Sequence, residues 1–124
     1  MNRIRLALVL VLALFVVACN GNDAPGDEAA NGEAGQHEIT VSAIDIDFEP
    51  DSVDIPAGST LVVTLENDGQ LEHDFQLEDG SGTGILQAGE SETVELGPFD
   101  ESETAFCTVP GHREAGMEFD INVN

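Results

Sequence analysis

Three of the scarcest residue types in this chain stand at five-residue intervals near its C-terminal end: Cys107, His112 and Met117. A thiolate, an imidazole and a thioether are donors that suit a transition metal. Pro110–Gly111 and Gly116 are expected to bend the chain between them, so that the three side chains converge on one point. One more imidazole would complete the two-His, one-Cys set with a long axial Met that favours a type 1 copper centre over zinc.

His73 supplies that imidazole, because a strand that starts there places its first side chain at the same end of the fold. Each candidate also has a common alternative, since a lone Cys or Met is usually core filler and a lone His usually a surface donor. Their occurrence together at this spacing favours the metal site. Asp74 follows directly and is a candidate to accept hydrogen bonds from the backbone around Cys107 and Thr108, the alternative being an exposed carboxylate at a strand end.

The elements that must position these side chains are strands. Apolar residues alternate with polar ones in several short runs separated by Gly, Pro, Asn and Asp turn signals, which is typical of an antiparallel sandwich or barrel with seven or eight strands. The runs lie near residues 39–43, 53–55, 61–65, 74–77, 93–96, 104–109 and 117–123.

The N-terminal segment reads as an export signal. Arg3 and Arg5 precede an apolar run, Leu6–Ala18, that is shorter than the roughly 20 residues of a membrane-spanning helix. The run ends in Val-Val-Ala before Cys19, which resembles a lipoprotein cleavage motif; the alternative is an ordinary secretory signal cut near Ala18. We expect residues 1–18 to be removed, Cys19 to carry lipid, residues 19–36 to form a disordered acidic tether and residues 37–124 to fold.

Composition narrows the function classes. The 124 residues are enough for one domain, and 25 acidic residues against 3 Arg and no Lys give a formal charge of -22, which excludes nucleic-acid binding and suggests a high-salt source. The absence of Trp and Tyr leaves little for sugar or base stacking. The predicted domain has only Cys107, so no internal disulfide can stabilise it.

The chain resembles the cupredoxins, the type 1 blue copper proteins, and especially the small plastocyanin-, halocyanin- and sulfocyanin-like electron carriers. The similarity extends from Phe48-x-Pro50 through Ile55–Gly58 and Asn67-x-Gly69 to the residues around His73 and the Cys107–Met117 loop. It implies a Greek-key β-sandwich that binds one copper ion. His73, Cys107 and His112 would be the equatorial ligands and Met117 the axial one.

The resemblance also implies an electron port at the outer edge of His112, among apolar or small neighbours such as Pro110 and Ala115. Two positions depart from the family pattern, which usually has an aromatic residue two positions before the ligand Cys and a Gly two positions after the Met. This chain has Ala105 and Phe119 there. Repacking beneath the site is therefore expected.

We therefore expect a monomeric, membrane-tethered carrier outside the cytoplasm that passes one electron between membrane-associated redox proteins. An enzyme is disfavoured because no acid and base pair stands out, and because a second copper centre would need more His than His37, which reads as a solvated loop residue. A copper-delivery module is the alternative, although the mobile Met and His clusters of such proteins are missing. A metal-free adhesion-type sandwich would leave the ligand loop unexplained.

Overall fold

The computed structural model describes residues 33–124, and this part of the chain contains seven strands and one 3₁₀ turn. The predicted signal peptide, the lipidated Cys19 and most of the predicted tether lie outside the described residues. The strands are β1 (Gln36–Ile44), β2 (Asp47–Glu49), β3 (Ser52–Ile55), β4 (Ser59–Asn67), β5 (Ser91–Phe99), β6 (Glu103–Phe106) and β7 (Glu118–Val123).

The strands form two sheets, with strand orders β2-β1-β4-β5 and β3-β7-β6. The predicted β-sandwich of seven to eight strands is confirmed. Its pairing is mixed, because β1 with β4 and β3 with β7 are parallel, whereas β1–β2, β4–β5 and β6–β7 are antiparallel. The chain leaves the first sheet to form β3 in the second and then returns, so β4 runs in the same direction as β1.

The alternation seen in the sequence sets the inner face of each sheet. In β4 every second residue from Ser59 to Asn67 is buried, and in β7 Phe119 and Ile121 are buried between exposed neighbours. The two inner faces contribute to one core that contains apolar side chains from both sheets. Because the core alone must hold the domain together, its packing also determines how rigidly the loops at its ends are held.

One predicted strand is wrong. Residues 74–77 form only isolated bridges, in which Gln76 pairs with both Gly82 and Phe106. The segment is held by side chains as well, since the Thr83 hydroxyl accepts a hydrogen bond from the Phe75 N–H at 3.0 Å. Gly82 lies so close to the Phe75 backbone that any Cβ there would collide with it. Such local contacts replace a continuous ladder, and they bring His73 to one end of the sandwich.

Candidate metal centre

The loop that carries three of the candidate ligands starts where β6 ends and finishes where β7 begins. Its predicted bends are present, because Gly111 and Gly116 both have left-handed backbone angles, φ 87° and 104°. The Met117 carbonyl accepts a hydrogen bond from the Cys107 N–H at 3.2 Å, and the Met117 N–H donates to the His112 carbonyl at 3.0 Å. These bonds tie the three ligand positions to one another through the backbone.

His73 reaches the same point from the segment between β4 and β5. Its backbone exchanges two hydrogen bonds with Leu86, at 3.1 and 2.7 Å, which fix the position of its Cα. The Cys107 Sγ then lies 3.9 Å from Nδ1 of His73 and 3.5 Å from Nδ1 of His112. All three side chains are buried, and they are the one His, Cys and carboxylate cluster within residues 33–124 with metal-binding geometry.

These separations fit a single ion. Metal–sulfur and metal–nitrogen bonds of about 2.3 and 2.0 Å at roughly trigonal angles place the two donor atoms about 3.7 Å apart. The observed values of 3.5 and 3.9 Å fall on either side of that separation. Met117 is fully buried, and its backbone bonds to both Cys107 and His112, so the residue types are those of a type 1 copper site.

Burial controls protonation of the donors in the metal-free protein. Burial raises the pKa of the Cys107 thiol, an effect that backbone hydrogen bonds from Asp74 and Val109 partly offset. Burial, and then repulsion from His112, lowers the pKa of His73. The metal-free site therefore holds a neutral thiol and a neutral His73 imidazole at pH 7.

Asp74 ties the two ligand segments together. Its Oδ1 accepts a hydrogen bond from the Thr108 N–H at 2.6 Å, and its Oδ2 accepts one from the Thr108 hydroxyl. Asp74 is 1% exposed, so the alternative of an exposed strand-end carboxylate does not hold. This pair links the residue after His73 to the residue after Cys107, and any shift of one ligand segment is transmitted to the other.

Arg113 braces the outside of the ligand loop. Its guanidinium lies 3.8 Å from the centroid of the Phe106 ring and contacts Glu78 at 2.6 Å and Glu118 at 3.1 Å. Because these ion pairs are exposed to solvent, they contribute little to stability. The contacts do connect the 3₁₀ turn Arg113–Ala115 to the segments on both sides of it.

Asn67 has the composition of a turn residue in the sequence, yet in the structure it organises the His73 side of the site. Its side-chain Nδ2 donates to the carbonyls of Leu71 at 2.7 Å and Leu86 at 2.9 Å, and Asn67 is 1% exposed. The sequence held a signal for this role. The inward-facing residues of β4 are Ser59, Leu61, Val63, Leu65 and Asn67, and a polar side chain at an inward position needs buried partners.

The two positions that depart from the family pattern face one another. Ala105 in β6 and Phe119 in β7 are register partners, and both are fully buried. The Phe119 ring packs edge-on against Phe75 at 5.2 Å, and Phe75 packs in the same way against Phe48 at 5.4 Å. An aromatic column therefore lies beneath the site. Phe119 places its aromatic ring on β7, after the Met, whereas the family pattern places an aromatic residue on the strand before the Cys.

The predicted electron port combines one buried ligand with exposed loop neighbours. His112 is 7% exposed, and its loop neighbours Pro110 and Ala115 are exposed. His37 lies in β1, paired with Leu61, and so belongs to a strand rather than to a loop. The described part of the chain holds no helix with the length and apolarity that a bilayer crossing requires.

Comparison with known proteins agrees with this architecture. A family model described as a cupredoxin-like domain matches residues 6–111. A search of curated proteins returned no match. Many solved structures are similar.

Three of these structures illustrate the similarity. Auracyanin B is 22% identical, with a TM-score of 0.64 over 80% of this chain and 96% of its own. Auracyanin A from Chloroflexus aurantiacus, titled a "blue" copper protein, is 18% identical, with a TM-score of 0.63 over 73% of this chain and 100% of its own. Rusticyanin from Thiobacillus ferrooxidans is 21% identical, with a TM-score of 0.64 over 72% of this chain and 77% of its own. At these identities the similarity establishes the fold.

Proposed function

The chain belongs to the cupredoxin-like family, and from that membership we propose that it is a membrane-tethered blue copper protein that carries single electrons between redox proteins outside the cytoplasm. Its cofactor is one copper ion, and family and site together make it an electron carrier. The observation that carries the proposal is the buried triangle of Cys107 Sγ and the two Nδ1 atoms.

The ligand roles follow from the donors. His73, Cys107 and His112 would hold the copper ion through two nitrogens and one sulfur, and Met117 would add a weaker thioether donor. The bound ion would supply a one-electron Cu(I)/Cu(II) change. With Nδ1 turned toward the ligand cluster, each imidazole keeps its proton on Nε2. Because the backbone bonds and the Asp74–Thr108 pair fix the donor positions, the protein moves little when the charge at the site changes.

The electron leaves through the port at His112. Its imidazole is the ligand ring on the loop whose small and apolar members, Pro110 and Ala115, are exposed. Glu in place of either residue should slow transfer to a protein partner and leave the visible spectrum nearly unchanged, because neither side chain is a ligand. If both variants transfer electrons at the wild-type rate, the port lies elsewhere on the surface.

The proposed membrane tether is inferred from Cys19 and the apolar run before it. Two acyl chains bind a membrane stably, so a lipidated Cys19 would keep the copper domain near membrane-bound partners. The Cys19→Ser variant should move from the membrane fraction to the soluble extracytoplasmic fraction. Retention of the Cys19→Ser variant in the membrane fraction would rule out lipid attachment at Cys19. It would not bear on the proposed copper site.

The decisive experiment is spectroscopic. Purified protein loaded with Cu(II) should bind one copper per chain and show an intense thiolate-to-copper band in the visible region, reversibly bleached by a one-electron reductant. A copper-delivery module is the competing function. It predicts rapid loss of copper to a chelator, whereas the buried, backbone-tied ligand set predicts slow loss. Colourless copper-loaded protein would refute the electron-carrier proposal.

A further inference from the structure

His73 is the one residue within residues 33–124 that has a buried side-chain nitrogen or oxygen without a hydrogen-bond partner. The unpartnered atom is Nε2, whereas Nδ1 is the ring nitrogen that lies 3.9 Å from the Cys107 Sγ. The residue as a whole is 0% exposed. A buried N–H nearly always has an acceptor, because leaving it unpaired is costly. The surroundings of Nε2 therefore need an explanation.

The backbone of Gly69 lies against this nitrogen. A Cβ added at Gly69 would stand 3.3 Å from Nε2 of His73, 3.0 Å from the Asp45 nitrogen and 3.4 Å from the Ala43 carbonyl oxygen. The two shorter distances fall below the roughly 3.5–4.0 Å of an ordinary contact between carbon atoms. The backbone angles do not require glycine here, because the φ of Gly69 lies outside the left-handed region. The glycine therefore serves the close approach of the ring to the backbone.

Gly69 cannot move away from the ring. Its N–H donates to the Ala43 carbonyl at 2.9 Å and to the Asn67 Oδ1 at 3.1 Å. The Ala43 carbonyl also accepts from the Asp68 N–H at 3.0 Å, so both of its lone pairs are used and it is not free to accept from His73. A methyl group at position 69 would therefore have to displace a neighbour rather than the backbone that carries it.

The His73 ring is the neighbour that can yield. Of the three atoms that the added Cβ would crowd, two belong to the backbone, and the third is the Nε2 atom, which no hydrogen bond holds. The His73 backbone is fixed by its two hydrogen bonds with Leu86, at 3.1 and 2.7 Å. The ring can yield only by turning about its own side-chain bonds, and that rotation moves Nδ1 relative to the Cys107 Sγ.

We infer that Gly69 is a positioning residue, which lets the His73 ring rest against the backbone and so sets the place of Nδ1 in the ligand triangle. This inference rests on the proposed electron-carrier function. A metal-binding imidazole is usually oriented by a hydrogen bond from its other nitrogen, and here packing against Gly69 takes the place of that bond. A ring held by packing keeps its position when the charge at the site changes.

The test compares Gly69→Ala with the wild type, and Gly84→Ala is the matched control. Gly84 lies in the same connection between β4 and β5, and a Cβ there would meet the Glu92 carboxylate at an ordinary 3.6 Å. In Gly69→Ala the displaced imidazole should weaken Cu(II) binding roughly tenfold relative to Cu(I) binding, because Cu(I) depends more on the soft sulfur donors. That change in ratio raises the reduction potential by about 59 mV. Gly84→Ala should keep the wild-type potential.

Gly69→Ser separates the steric effect from the missing hydrogen bond. It adds the same Cβ together with a hydroxyl that can accept from the Nε2–H of His73. Such an acceptor makes the imidazole a stronger donor, so the potential should lie below that of Gly69→Ala. In the metal-free protein, the NMR signals of the His73 ring protons should move in both variants and stay in place in Gly84→Ala.

Several outcomes would overturn the inference. If Gly69→Ala lowers only the free energy of unfolding and keeps the wild-type potential, Gly69 has a purely structural role. Equal potentials in the Ala and Ser variants would mean that the added group does not face Nε2, and failure of Gly69→Ala to fold would mean that the ring does not yield. A wild type that stays colourless with copper would instead refute the proposed function, whereas the ring-proton signals of the metal-free variants would still test how His73 is positioned.

Discussion

Exchanging the side chains of Ala105 and Phe119 tests whether the two positions share one packing volume. They are register partners across β6 and β7, and both are fully buried. In the family pattern the aromatic residue stands on the strand before the Cys, whereas here it stands on the strand after the Met. We expect Ala105→Phe combined with Phe119→Ala to retain a filled core that neither single change retains.

The magnitudes come from burial. Phe119→Ala removes a fully buried ring that packs against Phe75, which should cost about 3–5 kcal/mol of unfolding free energy. Ala105→Phe alone inserts a ring into an occupied space, at a cost of about 1–3 kcal/mol. Independent sites would add to about 4–8 kcal/mol, whereas a shared volume makes the double variant more stable than Phe119→Ala, with a coupling of about 2–3 kcal/mol.

The assay is denaturant unfolding of the metal-free protein at one fixed, high salt concentration, with midpoints compared only where the slopes agree. Ala105→Phe with Phe99→Ala is the matched control, because Phe99 is 1% exposed but pairs with Ser59 at the other end of the first sheet. That pair should be additive. If the unfolding free energies lost in the two single variants add up to the loss in the double variant within about 0.5 kcal/mol, Ala105 and Phe119 do not share one packing volume.

Five further predictions concern the site and the surface. Cys107→Ser should abolish the intense visible band even if copper remains bound, as a titration followed by absorbance will show. Met117→Leu should keep the blue colour and raise the reduction potential, and Met117→Gln should lower the potential, because the axial ligand mainly tunes it. If voltammetry shows the same potential for Met117→Leu and the wild type, Met117 is not the axial ligand. Copper uptake at pH 7 should release about one proton from Cys107, which an indicator dye can detect. Because the pKa of His73 in the folded protein lies below its ordinary 6.5, the free energy of unfolding of the metal-free protein should fall as the pH drops below about 6.5. With 25 acidic residues in the chain, the thermal midpoint of copper-loaded protein should rise from dilute buffer to molar KCl, and a flat or falling midpoint would contradict self-repulsion.

The sequence predicted those parts of the molecule that depend on local pattern. Period-two alternation identified β1 and β3 to β7 but missed the three-residue strand β2, and the spacing of Cys107, His112 and Met117 identified the loop that brings them together. The prediction that Asp74 bonds near Thr108 also agrees with the structure. These inferences succeeded because a strand's alternation and a short loop's closure are properties of neighbouring residues.

What the sequence left open depends on contacts between distant segments. Residues 74–77 alternate like a strand, but Gln76 pairs with both Gly82 and Phe106 instead of with one neighbouring strand. The pairing of Ala105 with Phe119 requires the register of β6 on β7, and the position of His73 requires Asn67 to join the segments that carry Leu71 and Leu86. No local periodicity encodes such a register.

The parallel pairing of β1 with β4 has a consequence for the order in which the molecule folds. β1 cannot meet β4 until the intervening chain has passed through β2 and β3, and β3 itself pairs with β7 at the end of the chain. Such non-local pairings make the search slow, because loop entropy is lost before the contacts form. The donors at His73 and Cys107, which are 34 positions apart, come together only after this search. The full ligand set therefore exists only in the folded chain, and copper bound by it would stabilise the native state.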